Sequence, residues 1–438
     1  MEDTPTRDHA VHVPTSRIQI LTEVFIVLSA GALVAATFFS YRRFTVYEDI
    51  CLIGLILFRI VTKGKKGKSI PRWVIAVVML YLTSEIIGAL MSSDISYAVK
   101  ELRRFTHLFV AGLLFTVPLS SKSRSVLMTV FFCTAAIAGV AGILQYFGIV
   151  STAGVYGGIE QGSIRSRGFS SNAILYASIL AVVCSSSIVV LFSGRKNFPM
   201  SPVYRWFLLI IAVLTLSGIL LSGSRGVWVA LCIACLITLF IYKKQLSLLF
   251  AAILAIICII VFSMNPYLRG QAKTIVASMY SKDKFESRDV RLELWKGSWL
   301  IFKEHPLLGV GTWNYESAVD EYIRQGRLKP LPVKMHAHSI YFHALATRGI
   351  IGFVLTIVLI VTIILWGRKE IKENSGFGGY VIILIAVLAA VGGLTEINLD
   401  INQILAANCL AIGIMGPIDL PEREDDTFTS KSCGCSCQ

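Results

Sequence analysis

Two histidines are the first side chains in this sequence whose types and spacing could do chemistry. His336 and His338 stand two residues apart, at the start of a long apolar stretch. A neutral imidazole can take a proton from a hydroxyl group, which makes His338 a candidate general base and His336 a candidate for positioning the same hydroxyl. Either histidine could instead donate a hydrogen bond to a phosphate group.

Arginines form three clusters near the ends of other apolar stretches. The clusters are Arg165 with Arg167, Arg225 alone, and Arg288 with Arg291. Guanidinium groups bind phosphate oxygens through paired hydrogen bonds. Arg288 and Arg291 also begin a predicted helix, whose free N–H groups and dipole favour an anion. The clusters predict an anion-binding site, against the structural alternatives of a snorkelling Arg225 and a polar helix-start loop around Arg165 and Arg167.

A metal site and a set of acidic partners are the next possibilities that the sequence raises. His336 and His338 could hold zinc, but no nearby cysteine or acid completes a set of ligands, so we expect neither a metal nor another cofactor. Glu396 ends a later apolar stretch and could orient a histidine or an acceptor hydroxyl. Glu85 lies within an apolar stretch, with Arg59 as its candidate partner in a structural pair or a proton path.

Apolar stretches make up most of the chain that must position these residues. Of the 438 residues, 55% are hydrophobic and only 16% are charged. Runs of about 17–25 apolar residues cross a bilayer as helices, and none of these runs alternates as barrel strands would. The sequence predicts an all-α polytopic membrane protein of about twelve spans, near residues 18–39, 46–62, 73–92, 105–120, 124–147, 172–193, 204–222, 226–242, 245–263, 339–366, 378–395 and 402–417.

Basic residues predict which side of the membrane each connection occupies. Residues 63–72 carry five positive charges and no acid, which is typical of a cytoplasmic loop. Counting spans from there puts both termini in the cytoplasm and all three arginine clusters, with Arg103 and Arg104, on the outer side. The net charge of +14 is explained by cytoplasmic loops and anionic membrane lipids, so we expect no nucleic-acid partner.

One long polar segment interrupts the spans and divides the chain. Residues 1–264 hold nine predicted spans, residues 265–337 form an outer (periplasmic) loop that contains helices, residues 338–420 hold three spans, and residues 421–438 form an acidic cytoplasmic tail, predicted to be disordered. The loop is predicted to be a catalytic lid that brings Arg291 and His338 toward the arginines of the bundle.

The loop is also expected to lie against the membrane. A predicted helix at residues 287–302 places four apolar side chains on one face, which we expect at headgroup level: Leu294, Trp295, Trp299 and Phe302. The following residues 305–311 contain two glycines, interpreted as structural rather than as a phosphate loop, because no strand precedes them. Asn172 is predicted to cap the sixth span.

The sequence resembles the O-antigen ligase and polymerase superfamily of bacterial inner-membrane glycosyltransferases. Four places carry the resemblance: Arg167-Gly-Phe with Asn172 before a span, Ser224-Arg225-Gly226 between two spans, Arg291-x-x-x-Trp295 followed by His305-Pro-Leu-x-Gly-Val-Gly311, and His338-Ser339 with Gly349. The number of spans and the single large late loop agree with that superfamily. The match covers roughly residues 100–400.

The resemblance implies a reaction. A glycan on undecaprenyl diphosphate would move en bloc to an acceptor hydroxyl at the periplasmic face, in a GT-C-like arrangement of spans, with inversion and without a metal. In the ligase branch, which we favour, the acceptor is a sugar of the lipid A core. By resemblance, Arg225 and Arg291 would hold the diphosphate, assisted by Arg167 or Arg288, and His338 would act as base.

Three other functions remain as alternatives. A polymerase would use the same donor but extend a glycan on a second carrier, although the single large outer loop favours a ligase. A protein O-oligosaccharyltransferase is a third enzyme. A transporter of lipid-linked glycans would place ionisable groups along several spans, whereas Arg59 and Glu85 are the ones that the sequence suggests lie deep in spans.

Overall fold

A computed structural model describes the helical parts of the chain. It covers residues 17–39, 44–63, 65, 67–150, 165–197, 201–249, 251–252, 287–331, 335–373 and 377–417. These residues form helices and turns with no strand among them, so the all-α prediction is confirmed. The helices are α1 (Arg17–Phe39), α2 (Phe44–Val61), α3 (Arg72–Leu90), α4 (Ile95–Glu101), α5 (Thr106–Thr116), α6 (Ser121–Tyr146), α7 (Ala173–Asn197), α8 (Pro202–Leu221), α9 (Arg225–Tyr242), α10 (Ser287–Glu304), α11 (Tyr315–Arg324), α12 (Ile340–Glu373), α13 (Gly378–Gly392) and α14 (Asn402–Met415).

Seven of the described helices are long and apolar enough to cross a membrane, and α13 and α14 are shorter apolar helices. Among the predicted spans, the one at 105–120 differs most from the helices of the structure. There, α5 has 11 residues and follows α4 through a 3-10 turn at Leu102–Phe105. Eleven helical residues rise about 16 Å, which is less than the hydrocarbon core of a bilayer. Most of the predicted span at 245–263 and the whole tail at 421–438 lie outside the described residues.

The centre of the bundle is formed by α7, α13 and α14. The side chains from Val381 to Ala389 are buried all the way round α13, and α14 is buried along nearly its whole length. A helix that is apolar on every face is stable only when other helices surround it or lipid does. Here helices surround it, so the ends of α13 are held firmly, and the site lies at one of these ends.

Contacts between loops show which connections lie at the same end of the bundle. Lys68 pairs with Glu370 at 3.1 Å, which joins the basic segment 63–72 to the end of α12. Nearby, Arg124 donates to the backbone carbonyls of Leu114 and Val117. The first residues of α12 lie at the opposite end, 30 positions before Glu370. The basic segment 63–72 and the basic end of α12, which were predicted to share one side, therefore meet at one end, away from the histidines.

Helices α10 and α11 form a small core of their own. Leu294 and Ile301 of α10 are fully buried against Tyr315 and Val319 of α11. The prediction that one apolar face of α10 lies at headgroup level is therefore wrong for Leu294, because α11 covers it. Trp299 remains 46% exposed on the other side of the helix.

The turn at residues 305–311 fastens this small core to α12. The N–H groups of Val310 and Gly311 donate to the carbonyls of Ala346 and Thr347 at 3.0 and 2.9 Å. A β-carbon at Gly309 would lie 2.4 Å from the carbonyl carbon of Thr347, so only glycine fits. In α12, Gly349 has a φ of 63° and kinks the helix at this contact. The structural interpretation of these glycines is confirmed.

Candidate functional site

A cavity of about 640 Å³ opens between α7, α9, α13 and α14, with α10 beside it. Arg165, Arg225 and Arg291 line it near the starts of α7, α9 and α10. Another part of the lining is apolar, with Ala181 and Val182 of α7, Ala230 of α9, Leu388 of α13 and Ile404 of α14. The cavity therefore joins a region of positive charge to a hydrocarbon-like region, which suits an amphipathic anion.

Arg165, rather than Arg167, is the member of its pair that lines the cavity. Its Nε donates to the carbonyl of Ser222 at 2.8 Å, and one Nη lies 3.3 Å from Ser224 Oγ. Arg167 is half-buried, and its backbone N–H donates to the Gln145 side chain at 3.2 Å. The structure thus places Arg165 in the cavity lining, whereas the resemblance had named Arg167 of this pair for the diphosphate.

The turn between α8 and α9 presents Arg225. Gly223 has a φ of 66°, which lets the chain reverse within Ser222–Ser224 and start α9 at Arg225. Arg225 is exposed into the cavity, at a helix start whose free N–H groups also attract anions. Asn172 accepts a hydrogen bond from the N–H of Leu175 at 2.7 Å, so its predicted capping role is confirmed.

Arg291 is positioned by the tryptophan one turn later on α10. The Trp295 ring stacks on Phe342 with centroids 5.1 Å apart, and its Nε1 donates to the carbonyl of Ala337 at 3.1 Å. Residues four apart share a helix face, so anchoring Trp295 aims Arg291 at the cavity. The side chain of Arg288 lies outside what the structure describes.

His338 meets Glu396 at the edge of the cavity. His338 Nδ1 lies 3.3 Å from Glu396 Oε2, and His336 Nδ1 lies 3.9 Å from Glu396 Oε1. Glu396 itself lines the cavity and is only 7% exposed. This contact agrees with the expectation that Glu396 could orient a histidine. It corrects the expectation that no acid is available to complete a ligand set with the two histidines, because the loop after α13 supplies one.

The backbone holds this group in place. His338 has a φ of 49°, an uncommon conformation for a residue with a side chain that costs about 1–3 kcal/mol. The next turn begins with Ile340, whose N–H donates to the carbonyl of Gly393 at 2.8 Å. Tyr341 adds a hydrogen bond to the Ala390 carbonyl at 2.8 Å. These bonds fasten the start of α12 to the end of α13 and bring His338 to Glu396.

Ionisation of the group follows from these contacts. Burial raises the pKa of Glu396, but the hydrogen bond to His338 and the charges of both histidines outweigh it, so the pKa falls below its usual value. Burial lowers the pKa of His336, and the nearby carboxylate only partly opposes this. At neutral pH, Glu396 is therefore a carboxylate that can accept a hydrogen bond from the Nδ1–H of His338.

Two asparagines in the cavity lining were not singled out from the sequence. Asn398 and Asn408 are buried, and their Oδ1 atoms have no hydrogen-bond partner among the described residues. A buried amide oxygen without a partner costs free energy unless a ligand or water supplies a donor. The signal in the sequence is Asn408 itself, a polar residue in the middle of an apolar span.

A buried ion network lies behind the site and corrects another expectation. Glu85 pairs with Arg348 of α12 and with Arg104 at 3.4 Å, and Arg104 also pairs with Asp400 at 2.9 Å. Arg59 is exposed on α2, so it is not the partner of Glu85. Arg104 is therefore part of an internal ion network and is not among the arginines that line the cavity.

Further ionisable groups lie within helices. His107 of α5 contacts the buried Glu48 of α2, whereas Arg103 and Asp49 form an exposed pair. The expectation that Arg59 and Glu85 are the ionisable groups deep in spans is therefore wrong. Because each of these newly found groups has a partner of opposite charge or a hydrogen-bonding partner, they fit internal bracing of the bundle.

Comparisons with known proteins bear on this site. Residues 210–357 match the family described as O-antigen ligase. A stretch of 206 residues is 23% identical to an uncharacterized protein of Haemophilus influenzae, covering 45% of this chain and 51% of that protein. The chain thus spans about half the length of that relative. The family match includes Arg225, Arg291 and His338 and confirms the resemblance to the O-antigen ligase and polymerase superfamily, without separating its branches.

Proposed function

We propose that this protein is a membrane glycosyltransferase that moves a glycan from undecaprenyl diphosphate to a hydroxyl group. The observation that carries this proposal is the cavity, where three arginines from separate segments lie beside a carboxylate bonded to a histidine. The diphosphate of such a lipid carries negative charge that suits the arginines of the cavity, and its hydrocarbon chain suits the apolar part of the lining. We further propose that the acceptor is a sugar of the lipid A core, as in O-antigen ligases.

The chemistry proposed for these residues is a single displacement. The acceptor oxygen bonds to the anomeric carbon from the face opposite the diphosphate, and the bond from that carbon to the diphosphate oxygen breaks, which inverts the centre. Nε2 of His338 takes the hydroxyl proton, while its Nδ1–H donates to Glu396. Arg165, Arg225 and Arg291 stabilise the charge on the departing lipid diphosphate. These steps need no metal or other cofactor.

The same proposal places the protein in the bacterial inner membrane, with the cavity facing the periplasm and both termini in the cytoplasm. Support comes from the contact of the basic segment 63–72 with the end of α12, at the end of the bundle away from His338. Cytoplasmic connections are enriched in lysine and arginine. The predicted loop 265–337, of which the structure describes residues 287–331 and 335–337, would then act as a lid that holds Arg291 over the cavity.

The test is genetic and biochemical together. Deletion of a ligase should leave polymerised glycan on its lipid carrier and none on lipid A-core. Deletion of a polymerase should instead leave single repeat units on lipid A-core, and that result would favour the polymerase alternative. If both glycan patterns stay unchanged, the glycosyltransferase proposal fails.

Complementation of the deletion then tests the site. We expect His338→Ala to lower transfer by about 10²–10⁴-fold, the contribution typical of a general base. His305→Ala, which removes an exposed histidine of the same segment, serves as the matched control and should restore the glycan pattern. Full activity of His338→Ala would exclude its role as base.

A further inference from the structure

Three side chains at the cavity edge have the composition of a transition-metal site. His336, His338 and Glu396 each offer one donor atom, and the three atoms lie within 4.8 Å of one another. The closest approaches are 3.3 Å from His338 Nδ1 to Glu396 and 3.9 Å from His336 Nδ1 to Glu396. Ligands of tetrahedral zinc at about 2.0–2.1 Å lie roughly 3.3 Å apart, so only small side-chain adjustments are needed.

The state of His336 also favours a cation. The backbone N–H of His338 donates to His336 Nδ1 at 3.3 Å, so this nitrogen carries a lone pair and no proton. Glu396 Oε1, which accepts a hydrogen bond from the Ile397 N–H at 3.1 Å, lies 3.9 Å from that lone pair, so two acceptors face each other. A divalent cation would satisfy both, taking over the long hydrogen bond from the backbone.

We propose that His336, His338 and Glu396 bind a divalent transition metal of the zinc class. Two imidazoles and one carboxylate form the donor set of open zinc sites, in which a fourth position is left for water or a substrate oxygen. Hard cations such as Mg²⁺ prefer oxygen donors and would bind poorly. Glu396 lines the cavity, so the fourth position is available to water or to a phosphate oxygen there.

Metal binding has a consequence that rests on the proposed function. A metal on Nδ1 of His338 fixes the remaining ring proton on Nε2, so the imidazole can no longer accept the proton of an acceptor hydroxyl. Metal binding would therefore inhibit transfer, because the His338 ring cannot bind a metal and act as a base at the same time. Zn²⁺ is expected to suppress transfer, and a chelator is expected to restore it.

Co²⁺ is the probe for the binding test because its visible absorption reports tetrahedral coordination. The full-length protein is purified without a polyhistidine tag, with Cys433, Cys435 and Cys437 changed to serine, since these thiols could bind the metal themselves. We expect one Co²⁺ per chain with tetrahedral absorption bands, displaced by Zn²⁺. Absence of a saturable band at one equivalent would overturn the proposal.

Substitutions assign the ligands. His336→Gln and Glu396→Gln should each weaken Co²⁺ binding by more than the roughly 10–100-fold that loss of an outer-shell partner costs. His305→Gln should bind like the parent, and Glu396→Asp, which keeps a carboxylate, should retain binding and so distinguishes ligand loss from misfolding. Equal affinity in His336→Gln, Glu396→Gln and His305→Gln would refute the site. Co²⁺ binding without inhibition of transfer would keep the metal site but contradict His338 as base.

Discussion

His338 Nδ1 lies 3.3 Å from Glu396 Oε2, although the two residues are 58 positions apart in the chain. The contact depends on the junction of α12 and α13, where Ile340 and Tyr341 bond to the backbone of α13. A carboxylate on Nδ1 keeps the ring proton there and leaves Nε2 as the acceptor. His338 and Glu396 therefore behave as one unit in any proton transfer.

Glu396→Gln should lower kcat for glycan transfer while leaving the KM for the donor little changed. A glutamine can turn its amide N–H toward Nδ1, which would place the ring proton on Nε2 and remove the base. The loss should approach the roughly 10²–10⁴-fold contribution of a general base. Transfer from a defined lipid-linked donor measures it, with Glu316→Gln on the exposed face of α11 as control. Unchanged kcat in Glu396→Gln would show that the contact is only structural.

Arg165→Ala should raise the KM for the lipid diphosphate donor more than Arg167→Ala does. A hydrogen bond to a charged group contributes about 1.5–3 kcal/mol, which is roughly 10-fold to 100-fold in affinity. Arg165 lines the cavity beside Arg225, whereas Arg167 does not. Donor-dependent kinetics of both variants provide the comparison. A larger effect from Arg167→Ala would mean that the diphosphate binds elsewhere.

Trp295→Ala should reduce transfer by up to about 100-fold, as expected when a binding group moves by about 1 Å. The substitution removes both the stacking on Phe342 and the hydrogen bond to Ala337, so α10 no longer holds Arg291 in its position beside the cavity. Trp299→Ala is the matched control, because that ring is 46% exposed on the same helix. Trp295→Phe keeps the stacking and should give an intermediate rate. Equal activity of Trp295→Ala and Trp299→Ala would contradict this positioning role.

Arg348→Ala should destabilise the folded protein by about 3–5 kcal/mol, because it leaves the buried Glu85 with only its longer contact to Arg104. Removing Glu85 as well should recover part of that loss. Thermal unfolding in detergent can be followed with a thiol-reactive dye, since Cys51, Cys184 and Cys235 are buried in the folded state. Arg59→Ala, on an exposed surface of α2, should change little. If Arg59→Ala and Arg348→Ala shift the unfolding transition equally, the buried ion network around Glu85 does not stabilise the bundle.

The sequence by itself determined the class of this protein and most of its candidate residues. Long apolar runs predict membrane helices because hydropathy and length are local properties. The cap at Asn172 and the glycine turns at 305–311 were also predictable, since each depends on a few neighbouring residues. The spacing of Arg291 and Trp295 also puts both on one helix face, because helical spacing is local as well.

Tertiary structure alone decided which of these residues act together. It placed Arg165 rather than Arg167 in the cavity, gave Glu85 to Arg348 instead of Arg59, and covered Leu294 with α11. It also selected a histidine over an acceptor hydroxyl as the neighbour of Glu396, and brought this carboxylate to both His336 and His338. Each outcome depends on how helices far apart in the chain pack, and side-chain pairs across packed helices are fixed by that packing and not by spacing along one segment.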